Sequence, residues 1–190
     1  METTYSINYS LNGGVVEGNP SSYTYNTETF TLNNPTRTGY TFDGWTGTGI
    51  SGVSKEVTVE KHSTGNRTFA ATWTPVTYTI TYNMNGGVNA ESNPRSYTIE
   101  DTITLAQPTK IGATFAGWTG DSIDGTSKTV VIAAGSTGNL VFNATWDLSS
   151  FDITYNLDGG AYYNDQGVVV ENPNPSEYSV DSDPIVLKNP

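Results

Sequence analysis

The chain has 190 residues with 19 acidic and 8 basic side chains, giving a net charge of -11. Too few cations are available to neutralise a phosphate backbone or an anionic membrane surface, and one His with no Cys excludes disulfide frameworks, thiol nucleophiles and His-rich metal centres. No apolar run reaches the roughly 18 residues a spanning helix needs, and the polar stretch after Met1 is not a signal-peptide core, so an export signal is expected outside this chain.

The chain is rich in Thr, Ser and Asn and carries 20 Gly and 12 Tyr. Thr and Tyr favour strands, and Asn and Gly favour turns. A mainly β fold with little helix is predicted.

The first predicted strand alternates Tyr5, Ile7, Tyr9 and Leu11 with Ser6, Asn8 and Ser10, the period-2 pattern of a strand with one wet face. Asn12-Gly13-Gly14 ends it. Further strands are predicted over 22–25, 29–32, 40–45, 55–60 and 67–73, separated by Asn-Pro, Pro-Thr, Thr-Gly and Ser-Thr-Gly-Asn turn signals. A single sheet face is expected to carry Tyr5, Ile7, Tyr9, Phe30, Leu32, Phe42, Trp45, Val57, Val59, Phe69, Ala71 and Trp73, forming one small core.

The same order then repeats. Tyr5, Tyr78 and Phe151 open homologous stretches 73 residues apart, and Trp45 and Trp73 recur at that offset as Trp118 and Trp146. Three modules follow: 1–74, 75–147 and a truncated third at 148–190. The expected core of the first two rests on Tyr5, Ile7, Tyr9, Trp45, Trp73, Tyr78, Ile80, Tyr82, Trp118 and Trp146. Four-residue tethers at 74–77 and 147–150 predict a semi-rigid rod. The third copy carries an insertion over 162–174 and stops where the others reach their first Pro-Thr turn, so a piece of a longer protein is expected. A half sheet bearing Phe151, Ile153, Tyr155, Ile185 and Leu187 leaves an open edge, which predicts packing on the second copy or self-association with another chain.

These residues also carry a family likeness. Tyr-x-Ile-x-Tyr-x-x-Asn-Gly-Gly, Asn-Pro-x-Ser-Tyr-Thr, Leu-x-x-Pro-Thr-x-x-Gly-x-Thr-Phe-x-Gly-Trp-Thr-Gly and a closing Ala-Thr-Trp resemble the Listeria-Bacteroides repeat, the internalin-type B repeat of bacterial surface proteins. The resemblance covers Tyr5 to Trp73, Tyr78 to Trp146 and the front of the unit in the third copy. It implies tandem β-grasp-like modules on secreted or wall-attached proteins, acting as a stalk or in adhesion, with no active site and no cofactor. Ala113 departs from the pattern where the first copy has Tyr40, which affects local packing.

A repeated chemistry needs its polar residues in both full copies, and the copies differ at Asp43/Ala116, Glu56/Thr129, Glu60/Ala133, His62/Gly135 and Arg67/Leu140. Lys55 and Lys128 are shared, but no paired carboxylate accompanies them for an isopeptide crosslink. Asp121 and Asp124 are the candidate calcium ligands, although that loop lacks a full ligand count. Tyr162 and Tyr163, in a polar insertion, are the candidate contact residues for an extracellular protein or a glycan.

Overall fold

The computed structural model describes residues 2–190. Two compact units are present, one made of Met1–Tyr78, Ser96–Thr102 and Ala133–Gly138, the other of Thr79–Arg95, Ile103–Ile132 and Asn139–Pro190. Every regular element among the described residues is a strand. The first repeat holds β1 (Thr4–Ser10), β2 (Ser22–Thr24), β3 (Phe30–Thr31), β4 (Tyr40–Gly47), β5 (Thr58–Val59) and β6 (Arg67–Pro75). The second holds β7 (Tyr78–Asn83), β8 (Ser96–Tyr97), β9 (Ile103–Thr104), β10 (Ala113–Gly120), β11 (Val131–Ile132) and β12 (Leu140–Leu148). In the third copy, β13 (Phe151–Asp152) pairs with β16 (Glu177–Tyr178), and β14 (Tyr162–Tyr163) pairs with β15 (Val169–Val170).

The first sheet is ordered β2-β1-β6-β4, and the second is its counterpart, β8-β7-β12-β10. The first and last strands of each repeat lie side by side and parallel, from Ile7 opposite Arg67 to Ser10 opposite Ala70, and from Ile80 opposite Leu140 to Asn83 opposite Asn143. Such a parallel pair needs a long crossover, and here the short ribbons β3-β5 and β9-β11 lie within it. The core is therefore built differently from the single face expected. Phe30, Leu32, Val57 and Val59 come from the ribbon segments and pack in one cluster with Ile7, Trp45, Phe69 and Ala71 from the four-stranded sheet.

Trp45 and Trp118 are fully buried, each ringed at its edges by Phe42 and Phe69 or by Phe115 and Phe142. Each such ring removes roughly 150–250 Å² from water, the largest apolar contribution a module this small can make. Ile7 and Ile80 are buried, while Tyr5, Tyr9, Tyr78, Tyr82, Trp73 and Trp146 are half-buried at the core margin. Tyr23 and Tyr97, outside the expected core, are buried, and their phenols donate to Gly65 O and Gly138 O at 2.6 Å.

The turn after the first strand is locked by the last strand. Asn12 and Asn85 adopt positive φ, and their side-chain amides donate to Ala71 O and Ala144 O at 2.8 Å. Trp73 and Trp146 lie directly over Gly14 and Gly87, whose missing Cβ is the space the indoles occupy. The indole N–H groups donate to Leu11 O at 3.0 Å and Met84 O at 2.9 Å. In the third copy Asp158 repeats the positive φ, but Gly160 has no ring above it.

Gly14→Ala and Gly87→Ala should each cost about 1–3 kcal/mol, the usual range for overpacking. Gly160→Ala should leave the Trp-reported transition within about 0.5 kcal/mol. Urea unfolding followed by Trp fluorescence checks both, because all four Trp lie in the first two repeats.

Candidate interaction site

The insertion of the third copy folds as a hairpin. Asn164 makes its turn by accepting from the backbone N–H of Gln166 and Val168 at 3.0 and 2.9 Å. Strand alternation then sends the two candidate tyrosines to opposite faces. Tyr162 is buried, and its phenolic oxygen accepts from Asn174 Nδ2 at 2.8 Å. This corrects the pairing of Tyr162 with Tyr163 as a contact site, since a ring held inside cannot stack on a ligand. Tyr163 is 60% exposed, beside Val168 and Val169 at 58% and 61%. Val186 and Leu187 are also exposed, so this copy presents more apolar surface than the other two.

Asn174 belongs to a device that recurs in every copy and that the sequence reading missed. Its Oδ1 accepts from Lys188 N at 2.6 Å while its Nδ2 donates to Lys188 O at 3.0 Å. Asn93 clasps Ala106 in the same two-way manner at 2.7 and 2.9 Å, and Asn19 clasps Asn33 at 2.7 and 3.0 Å. A side-chain amide thus stands in for a bridging backbone. The signal was an Asn before Pro at the same place in all three copies.

Asp121 and Asp124 are not brought together as a cation cage. The Asp121 carboxylate accepts from Val141 N at 2.8 Å, a structural bond, and Asp124 is exposed. Among the described residues, no group of three or more His, Cys, Asp or Glu is placed to hold a metal ion. Lys55 and Lys128 are both exposed. His62 sits in a turn at φ 70° and stacks on Tyr25 with ring centres 4.7 Å apart. The first sheet bears a shallow, mainly apolar groove of about 260 Å³ in which Asn8, Ser10, Thr46 and Thr68 lie beside Tyr9, Phe69 and Ala70, without carboxylate, ammonium or imidazole.

The phenols of Tyr9 and Tyr82 donate to Pro20 O and Pro94 O at 2.9 Å from the core margin. Burial pushes Tyr9 up and Tyr82 up to about 12.

Two four-stranded sheets of the same strand order, each built around one aromatic core and recurring 73 residues apart in the sequence, define a tandem-repeat β protein. The chain belongs to the Listeria-Bacteroides repeat family, whose domain matches residues 5–72 and 78–145. It is similar to Internalin H of Listeria monocytogenes, with 28% identity over 110 residues, covering 58% of this chain and 20% of the relative. It is also similar to a protein of Evansella cellulosilytica named only as a membrane protein, with 25% identity over 152 residues, covering 75% of this chain and 22% of the relative. The chain thus spans about a fifth of the length of these relatives. No solved structure gives a significant match.

The native Tyr82 phenol holds its proton more tightly than the unfolded one, so its share of stability is complete below about pH 10 and disappears as pH climbs toward 12. Urea midpoints measured from pH 8 to 12 should fall over that window. Tyr82→Phe should flatten the fall without abolishing it, because Tyr9 follows the same course in the first repeat.

Proposed function

We propose that this chain is a non-catalytic spacer segment of a bacterial cell-surface or secreted protein, built from modules 1–74, 75–147 and 148–190. The observation that carries this reading is what the two full repeats share. They keep the core rings, the turn residues and the Trp-over-Gly lock, while the polar residues a repeated chemistry would need are replaced: Asp43 by Ala116, Glu60 by Ala133, His62 by Gly135 and Arg67 by Leu140. Its role is geometric, each added repeat extending reach and carrying other domains outward. An acidic, hydroxyl-rich composition suits this role, because net negative charge repels like-charged envelopes. The surface location is supported by the family and by the internalin relative.

Small-angle scattering of variants with one, two and three complete repeats should show the maximum dimension growing by about 30 Å per repeat, from compact-domain scaling. Compaction to a single globule would refute the spacer.

Direct binding of an extracellular protein, a glycan or a second copy of the chain is favoured by one observation, the exposed Tyr163, Val168 and Val169 on the third copy. If that face binds, Tyr163→Ala should lower glycan-array or pull-down signal at least tenfold, a typical cost for an aromatic anchor. Near-UV circular dichroism would confirm an unchanged fold.

A further inference from the structure

Within the first compact unit, Ser96–Thr102 lies against the turn that opens β4. Gly39, at φ 76°, faces Ile99 so closely that a Cβ there would stand 2.5 Å from Ile99 Cδ1. The Tyr40 phenol donates to Glu100 Oε1 at 2.8 Å, and the Arg37 guanidinium stacks on the Tyr40 ring 3.6 Å from its centre. Val76, in the tether after β6, donates its N–H to Gly39 O at 2.9 Å.

The second compact unit contains the same arrangement with different side chains. Gly112, at φ 67°, is capped by Val180, and Ser149 in the tether after β12 donates to Gly112 O at 2.9 Å. Ala113 cannot reach a carboxylate as Tyr40 does. The acid is held instead by Lys110, at the position of Arg37, whose Nζ lies 2.8 Å from Asp181 Oδ2 with only 9% of the Lys110 side chain exposed. One substitution thus accompanies another, and the contact is kept.

We propose that the Gly39 and Gly112 turns are docking sites for the repeat that follows, recognising an aliphatic side chain and the carboxylate next to it, two and three residues beyond the tyrosine of the edge strand. That pair is Ile99-Glu100 after Tyr97 and Val180-Asp181 after Tyr178. The glycine makes room for the aliphatic group, a phenol or ammonium holds the acid, and the tether bonded to the same glycine carbonyl delivers the segment. Any residue with a Cβ at the turn would close the seat. The matching positions in the first repeat are Tyr25 and Asn26, which are engaged locally: Tyr25 stacks on His62, and Asn26 donates to Glu2 Oε1. The fold itself therefore does not require the aliphatic–acid pair. The proposal rests on the spacer reading for its purpose, which is to remove hinge freedom between consecutive repeats.

The absence of native Cys allows clean spin labelling of the full chain at Glu56→Cys and Thr129→Cys, two exposed positions in matching loops. Double electron–electron resonance should give one narrow distance distribution. Adding Ile99→Ser with Glu100→Gln should broaden it about twofold, as expected when a short tether alone connects two bodies. An unchanged width would overturn the proposal. Val180→Ser with Asp181→Asn, labelled at Thr129→Cys and Tyr163→Cys, repeats the test at the second seat, where the two substituted residues are exposed, and Trp fluorescence verifies that the repeats stay folded. If the first variant unfolds, the second decides. Loss of the narrow distribution with length still growing per repeat supports docking, whereas compaction in scattering refutes the spacer and leaves the docking result standing.

Discussion

An indole resting on a glycine is the contact on which each full repeat depends. The first strand must end beside the last strand although more than fifty residues separate them, and the ring of Trp73 or Trp146 secures that meeting. The ring fills the space above Gly14 or Gly87, its N–H ties off a carbonyl at the strand end, and Asn12 or Asn85 reaches back to the neighbouring strand. Closing so long a loop costs entropy. Combining packing and hydrogen bonding at one point offsets it, and the parallel pairing of β1 with β6 and of β7 with β12 follows.

Once that frame is closed, the two cores tolerate different details. Trp45 donates its indole N–H to Asn34 Oδ1 at 3.1 Å, whereas the equally buried Trp118, with Gln107 in place of that Asn, has an unpartnered N–H. An unsatisfied buried donor costs about 1–3 kcal/mol, so the second core is maintained by ring packing despite that loss. The exchange of Tyr40 for Lys110 as the holder of an acid shows the same latitude at the surface. Shape is kept more strictly than the identity of polar partners.

The repeat spacing, the mainly β class and the central tryptophans were legible because they are periodic. Alternation in Tyr5 to Leu11 and the recurrence of Trp45 as Trp118 need no tertiary knowledge. That the short ribbons share the core with the four-stranded sheet was not legible, since β3, β5, β9 and β11 are two residues long and a pattern of period two cannot say which sheet so short a strand joins. Tyr23 and Tyr97 were missed for a related reason. The alternation Tyr23, Tyr25 places both rings on one face, yet the strand ends at Thr24 and the chain turns, leaving Tyr25 half exposed. Tyr162 misled in the opposite direction, because a polar insertion suggested exposure while a partner twelve residues away, Asn174, drew the ring inside. The aliphatic–acid pairs beside Tyr97 and Tyr178 were in plain view, but their meaning lay in glycines more than fifty residues upstream.

The side-by-side, parallel setting of β1 and β6 has a mechanical consequence. The chain enters the repeat at one end of this pair and leaves at the other, so tension along the polypeptide slides the two strands past each other. Their ladder bonds are then strained simultaneously, whereas an antiparallel hairpin pulled from its open end parts one bond at a time. Force carried through such a chain meets its resistance in the middle of the sheet, beneath the aromatic interior.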